Sequence, residues 1–239
     1  MRARDVRALV VGAVAAAAVN GCVQGAEARP ARDAGTAAAA RAGQDTTRLP
    51  AGAVRFSVAP TGNAARYRVR EQLMRHDLPN DAVGETQGVT GAIVVDQAGA
   101  VIPRLSRFVV DVATLKSDSD RRDGYVRGRL LQVEQFPTVE LVPTAARGLP
   151  ARLPAAGRDA GPGTFDLVGN LTVRGVTHPT TWRVTARQAA NRVTGTATTK
   201  FTFTDFGITP PSVPILLSVA DTIALELDFS LERAAPAGK

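Results

Sequence analysis

The residue types that most often carry chemistry are scarce in this sequence. It holds two histidines and one cysteine among 239 residues. An intrachain disulfide is therefore impossible, and a zinc site built from Cys and His is nearly so. The Gly-x-Ser-x-Gly turn of a hydrolase and the His-Glu-x-x-His pair of a metalloprotease are both absent from the sequence. We therefore expect no catalytic residue, no metal site and no enzyme activity.

Three aspartates could suggest a calcium loop. Asp118, Asp120 and Asp123 precede a glycine, but their spacing differs from that of an EF-hand and two arginines lie among them. Ser117 and Asp120 have the spacing of a capping box, and acidic side chains suit the start of a helix. We predict one short helix that begins here and runs to about residue 133, close to the mouth of the fold.

Two further polar residues are more easily explained by local structure. His178 precedes a proline in a predicted turn, where a solvated histidine is the usual case. Asp205 opens an Asp-Phe-Gly sequence that lies in no kinase context, so we interpret it as a turn former. Gly207 then allows a bend.

The formal net charge of +7 raises the question of a nucleic-acid partner. The basic residues are spread along the chain, and the few aromatic residues fall on apolar faces rather than among the cations. We expect no nucleic acid as a partner, and we assign much of the charge to a solvated exterior.

Residues 1–22 have the three parts of a bacterial signal peptide. Arg2, Arg4 and Arg7 precede a short apolar run, and about 12 apolar residues are too few to cross a bilayer, which takes roughly 20. Gly21 stands directly before Cys22, as in a lipobox, so the sequence predicts lipidation of Cys22. The alternative is cleavage by another peptidase after Ala28.

The segment that follows predicts a tether. Residues 23–53 contain Ala, Arg, Gly and Thr with almost no large apolar side chain, so they cannot bury a core. A folded domain over residues 54–233 and a tail over 234–239 complete the predicted organisation. The expected location is the periplasmic face of a bacterial membrane, as a lipoprotein. A soluble periplasmic or secreted protein is the alternative.

The predicted domain shows apolar and polar residues in alternation, which indicates strands with one buried face. Phe165, Leu167, Leu171 and Val173 share one face of a strand, and residues 193–204 and 223–231 repeat the pattern. Weaker versions cover residues 66–73, 86–96, 105–113, 137–143 and 180–187. Short turns between them favour an all-β, antiparallel, lipocalin-like barrel of about eight strands. A sandwich is the competing architecture.

Several motifs, in order, resemble the YceI family of polyisoprenoid-binding proteins. The most specific runs from Leu115 to Val139, where Arg122-Asp123 and Phe136-Pro137 match the family pattern, although Leu130-Leu131 replaces the common Phe-Phe. The remaining resemblances are Val89-Thr90-Gly91, the stretch Leu171–Pro179 and the sequence Thr204-Asp205-Phe206-Gly207-Ile208. Together they cover roughly residues 55–232.

The resemblance implies an apolar tunnel that holds a long lipid, such as a polyisoprenoid or the tail of an isoprenoid quinone, for transport, storage or sequestration in the cell envelope. It also allows a homodimer, since family members can pair. The candidate lining residues are Phe108, Val110, Phe136, Val139, Phe165, Leu167, Trp182, Phe201, Phe203, Phe206, Leu225 and Phe229.

Two other functions stay open at this point. The same inward residues would form the core of any barrel, so a structural or interaction lipoprotein with a solidly packed interior is the main alternative. An enzyme would need polar side chains that converge inside the barrel, and the alternation offers almost none.

Overall fold

The strands form where apolar and polar side chains alternate. We describe the computed structural model for residues 49–75, 77–149 and 157–234. Its longest strands contain the alternating segments with many β-branched and aromatic residues, which suit a pleated, half-buried surface. The eleven strands are β1 Val54–Val58, β2 Ala64–Leu73, β3 Asn80–Thr86, β4 Val89–Val95, β5 Arg107–Asp111, β6 Lys116–Ser117, β7 Thr138–Arg147, β8 Ala160–Val173, β9 Val176–Ala189, β10 Arg192–Thr202 and β11 Leu216–Arg233.

Eight strands close into a ring, which confirms the predicted antiparallel barrel. Their order around the ring is β1-β4-β5-β7-β8-β9-β10-β11, and β1 pairs with β11 to close it. The remaining strands β2, β3 and β6 extend from β11. All pairings are antiparallel. Closure pairs the edges that a sandwich would leave open.

The strand β11 changes partner along its length. Its last residues, Leu231 to Arg233, pair with β1, whereas Leu216 to Asp228 pair with β2. The predicted strand over residues 86–96 is likewise broken at Gln87 and Gly88, so that β4 pairs with β1 and β3 pairs with β2. The barrel therefore has a lower half around β1 and β4 and an upper half around β2 and β3.

The predicted helix is present but begins and ends differently. The α-helix α1 spans Asp120–Tyr125 and continues as a π-helical segment over Val126–Leu131. The residue that caps it is Ser119, whose side chain accepts a hydrogen bond from the backbone N–H of Arg122. The Ser117 hydroxyl instead donates to Asp123 Oδ1 at 2.6 Å. The same oxygen of the buried Asp123 carboxylate also accepts the backbone N–H of Ser117. Ser117 is therefore bound to Asp123 and does not cap the helix.

The turns around β9 are tighter than expected. The β8–β9 turn consists of Arg174 and Gly175, both with positive φ. As a consequence His178 lies in β9, opposite Leu171, rather than in a turn. Its ring packs edge-on against Phe206, with the two centroids 5.8 Å apart.

The outer face of β2 bears the arginines that dominate its sequence. Arg66 pairs with Glu85 on β3 and with Asp228 on β11, at 2.5 and 2.6 Å. Arg68 pairs with Asp81 and Glu226 across the same three strands. These pairs are partly exposed, so solvent screening limits what they add to stability, and they act mainly on strand register. They account for part of the charge assigned to the exterior.

Candidate functional site

The upper half of the barrel encloses a cavity of about 720 Å³. Its walls are the inward faces of β2, β5, β7, β10 and β11, and most of the side chains are apolar. Helix α1 with its π-helical extension covers one side of the mouth, and the segment before β11 borders the other. A space of this size and character is typical of a small-molecule site.

A second cavity of about 290 Å³ lies in the lower half. Both cavities are lined by Phe108, Leu141, Trp182 and Leu227, so these four side chains separate them. Trp182 is held in place because its indole N–H donates to Thr180 Oγ1 at 3.0 Å, and that hydroxyl donates to the carbonyl of Gly169. The barrel thus contains one apolar channel that is partitioned across its middle.

The structure places most of the candidate lining residues on these two cavities. Those on the larger cavity are Phe108, Val110, Val139, Trp182, Phe201, Phe203 and Leu225. Those on the smaller cavity are Phe108, Phe165, Leu167, Trp182 and Phe229. The strand alternation brings them together, since successive inward positions of neighbouring strands face the same interior.

Phe136 and Phe206 line neither of the two cavities. Phe206 lies in a 3₁₀ turn, Thr204–Phe206, and its buried ring packs edge-on against Phe201 with centroids 4.7 Å apart. The ring of Phe136 lies beside the β8–β9 turn, where a Cβ atom on Gly175 would come within 3.2 Å of it. Both residues lie outside the strands, so alternation says nothing about the direction of their side chains.

Sequence reasoning missed a buried ion pair at the mouth of the larger cavity. The guanidinium of Arg122 on α1 donates to Glu71 Oε1 on β2 at 2.8 Å, and the two side chains are only 17% and 10% exposed. Arg122 also pairs with Asp118. Burial alone would lower the pKa of Arg122, but the attraction of Glu71 and Asp118 outweighs it, and the pKa is raised. Arg122 and Glu71 both line the cavity.

A signal for Glu71 was available in the sequence. It falls in phase with Tyr67, Val69 and Leu73, the inward residues of β2, so alternation places a carboxylate inside the barrel. A buried carboxylate needs a cationic partner, and Arg122 is one of the residues that match the family motif. The interior is therefore less uniformly apolar than the alternation suggested.

Tyr67 is the other polar side chain of the upper wall. Its ring lies over Gly84 on β3, where a Cβ atom would come within 2.3 Å of Tyr67 Cε1. Its hydroxyl is buried and has no hydrogen-bond partner. Burial raises the pKa of Tyr67 to about 12, against an opposing effect of Arg122.

The described ranges contain no cluster of three or more His, Cys, Asp or Glu side chains that could hold a metal ion. In the same ranges, no helix is long and apolar enough to cross a membrane. Asp205 accepts the backbone N–H of Thr202 at 2.7 Å, and hydrogen bonds from Thr202 lower its pKa, as suits a turn former. Cys22 lies outside the described residues.

Comparison with known proteins gives the same fold. The family model for the YceI-like domain matches residues 56–231. A UPF0312 protein of Pseudomonas putida strain GB-1 is 30% identical over 139 residues, which cover 54% of this chain and 63% of the relative. A UPF0312 protein of Pseudomonas fluorescens strain SBW25 is 30% identical over 142 residues, covering 56% and 65%. The chain thus spans less than two thirds of the length of these relatives.

Solved structures are similar at lower identity. A polyisoprenoid binding domain from Saccharophagus degradans superimposes with a TM-score of 0.56 at 15% identity, covering 75% of this chain and 98% of that domain. BcnA from Burkholderia cenocepacia has a TM-score of 0.51 at 17% identity, covering 70% and 95%. The Campylobacter jejuni YCEI protein has a TM-score of 0.52 at 14% identity, covering 68% and 91%. At such identities the likeness concerns the fold.

Proposed function

Because this chain belongs to the family of YceI-like domains, we propose that it binds a long apolar lipid, a polyisoprenoid or the tail of an isoprenoid quinone, inside its barrel. The observation that carries the proposal is the cavity of about 720 Å³ with mainly apolar walls. The polyisoprenoid binding domain of Saccharophagus degradans has the same fold, which supports this ligand class. A solidly packed barrel without ligand is the alternative, and the cavity volume favours binding.

The size of the cavity bounds the part of the lipid that it can enclose. A cavity of about 720 Å³ lies within the range of roughly 300–1,000 Å³ that is usual for small-molecule sites, so it encloses a limited length of a long tail. Each buried apolar Å² contributes roughly 25 cal/mol, so affinity rises with chain length until the tail meets the partition at Trp182.

We propose that the protein works in the bacterial cell envelope, anchored to the periplasmic face of a membrane through lipidated Cys22, where it transports, stores or sequesters its ligand. The leader and the lipobox-like Gly21-Cys22 support export and lipidation. Mass spectrometry of the mature N-terminus tests this directly. An acyl-modified Cys22 is expected, and an N-terminus at Arg29 would contradict the anchor in favour of a soluble periplasmic or secreted protein.

The binding test uses the only tryptophan of the chain as its reporter. Trp182 faces both cavities, so uptake of a prenol or of an isoprenoid quinone should change its fluorescence. Mass spectrometry of organic extracts from natively purified protein should also detect a bound apolar lipid. Failure of both, with protein shown to be ligand-free and folded, would favour the packed-barrel alternative.

Two neighbouring positions on β3 give a matched pair of variants. Ala82 is buried and lines the larger cavity, so Ala82→Phe should fill it and weaken binding by about tenfold or more. Val83 lies opposite Arg68, on the outer face, and Val83→Phe should leave affinity unchanged. Equal affinities for the two variants would contradict binding in this cavity.

A further inference from the structure

Exposed apolar side chains gather at one end of the barrel. The large hydrophobic residues that are exposed among those described are Leu49, Met74, Leu78, Val176, Ile215 and Leu217. Four of them, Met74, Leu78, Ile215 and Leu217, lie on the β2–β3 connection and on the segment that enters β11. We call these four residues the apolar rim. Single exposed apolar residues are normal, but a group of them marks an interaction site.

The apolar rim stands at the mouth of the larger cavity. The backbone N–H of Met74 donates to the carbonyl of Ile215 at 2.8 Å, and Leu73 pairs with Leu216, so the two segments lie side by side. Ile215 lines the cavity as well as being 48% exposed. Ile215 therefore connects the apolar lining of the cavity with the exposed rim.

The same end carries cations without carboxylate partners. Arg75 adjoins Met74, and Arg121 and Arg129 border the cavity from α1 and its extension. Among the described residues, none of the three has an ion pair. Carboxylates without an ion pair among the described residues also lie at this end, including Asp77, Asp111, Asp120, Asp205 and Asp221, so the three arginines are distinguished by their position beside the rim and the cavity. Apolar groups edged by cations are complementary to a bilayer that contains anionic lipids.

We propose that the apolar rim docks onto a lipid bilayer and that the mouth of the cavity opens there into the acyl-chain region. The apolar surface of a long lipid is shielded from water in the bilayer and in the barrel, but it would be exposed if the lipid crossed water between them. Docking at the mouth removes that step. A second copy of the chain over the same surface would close the mouth of the cavity, whereas a bilayer at this surface would leave the mouth open to the lipids of that bilayer. The passage of ligand rests on the proposed function, but docking itself does not.

Site-specific fluorescence tests the docking. In a Cys22→Ser background of the full chain, Leu217→Cys and Leu49→Cys each supply a single thiol for an environment-sensitive dye. Leu49 precedes β1, at the opposite end of the barrel. With vesicles of phosphatidylethanolamine and phosphatidylglycerol, the dye at position 217 should shift to the blue and be quenched by nitroxide-labelled acyl chains. The dye at position 49 should do neither. An unchanged dye at position 217, or equal responses at both, would overturn the proposal.

The charges and the alternative occupant are tested with the same probe. Equally strong binding to vesicles of phosphatidylcholine alone would contradict the part assigned to Arg75, Arg121 and Arg129. A blue shift at position 217 without vesicles, together with a dimer in sedimentation, would show that a second copy covers the rim. That result would also overturn docking.

A rim variant separates docking from ligand binding. Met74→Ser, Leu78→Ser and Leu217→Ser combined change only rim residues that do not line the cavity. They should slow uptake of a quinone from vesicles by about tenfold or more, while uptake from detergent micelles stays unchanged. Uptake from vesicles at the unaltered rate would overturn the role of the rim in transfer. If the unaltered protein takes up lipid from neither source, the proposed function fails, and the dye at position 217 still decides whether the rim docks.

Discussion

The two halves of this barrel close in different ways. In the lower half β1 pairs with both β4 and β11, so the backbone pairing around the smaller cavity is continuous. In the upper half β3 pairs on its far side only with β6, a strand of two residues that leads into α1. Within the described residues β3 and β5 do not pair. On this side α1 and its π-helical extension, rather than a strand, contribute to the lining of the larger cavity, so the two halves differ in the elements that complete their walls.

The same contrast holds for the charges. In the lower half, ion pairs such as Arg183 with Asp166 lie outside the barrel, and both side chains are well exposed. In the upper half Glu71 is buried and Arg122 is partly buried, and both line the larger cavity. This pair joins α1 to β2 across the gap that no strand fills. The upper half therefore relies on a few specific polar contacts, whereas the lower half relies on continuous backbone pairing.

The largest effect is expected from Glu71→Ala. The substitution leaves the partly buried guanidinium of Arg122 with the exposed carboxylate of Asp118 as its remaining charged partner. Because Arg122 is only partly buried, the cost should be about 2 to 3 kcal/mol, at or below the lower end of the range for buried pairs. Asp166→Ala removes one side of the exposed pair and should cost less than about 1 kcal/mol. Urea unfolding of both variants measures the difference.

A double variant separates the charge from the packing at this contact. Glu71→Leu combined with Arg122→Met removes both charges and keeps apolar volume, so it should be more stable than Glu71→Ala alone. Equal stability for Glu71→Ala and Asp166→Ala would show that the Arg122 pair does not hold the two elements together.

The same substitution, glycine to alanine, can be made in both halves of the barrel. A Cβ atom on Gly195, in the lower half, would lie 2.2 Å from the carbonyl oxygen of Thr185, which is backbone within the sheet. A Cβ atom on Gly84 would meet the ring of Tyr67, which has the larger cavity beside it. We expect Gly195→Ala to destabilise by about 2 kcal/mol and Gly84→Ala by about 1 kcal/mol or less, because only the ring can move away.

Urea unfolding measures the free energies of unfolding of these two variants, and prenol binding provides a second comparison between them. The ring displaced by Gly84→Ala occupies cavity volume, so this variant should bind a prenol more weakly, while Gly195→Ala should lose stability without such a change. A larger loss of stability for Gly84→Ala would mean that the upper wall is packed as rigidly as the lower sheet.

The fold was predictable to the extent that it depends on local alternation. Residues 164–173 and 223–231 form strands with the expected inward faces, since period two is a property of each strand alone. Alternation does not show where a strand changes partner. The break at Gln87 and Gly88 and the split of β11 between β1 and β2 arise from pairings between residues distant in sequence.

The site was predictable only in its apolar part. Inward phenylalanines followed from alternation, but Phe136 and Phe206 lie in turns and have other neighbours. The pairing of Glu71 with Arg122 could not be predicted, because it joins residues 51 apart through the way α1 lies across the mouth. The alternation of β2 does place Glu71 on the inward face, and a buried carboxylate needs a cationic partner, so the presence of a partner could have been predicted but not its identity.

The smallest effect is expected from Tyr67→Phe, and it depends on pH. The hydroxyl has no hydrogen-bond partner, so its loss near neutral pH should change the free energy of unfolding by less than about 1 kcal/mol. In the folded protein the pKa is raised from 10.0 to about 12. Between these values the unfolded chain loses a proton that the folded chain keeps, so stability falls as the pH rises through this window.

Unfolding by urea at increasing alkaline pH measures this slope. Tyr67→Phe should remove part of it, whereas Tyr125→Phe, which removes the only other tyrosine, should retain it. Identical slopes for the two variants would place the Tyr67 hydroxyl in water. The upper wall would then be wetter than its geometry indicates, and the contrast with the lower half would extend from strand pairing to solvation.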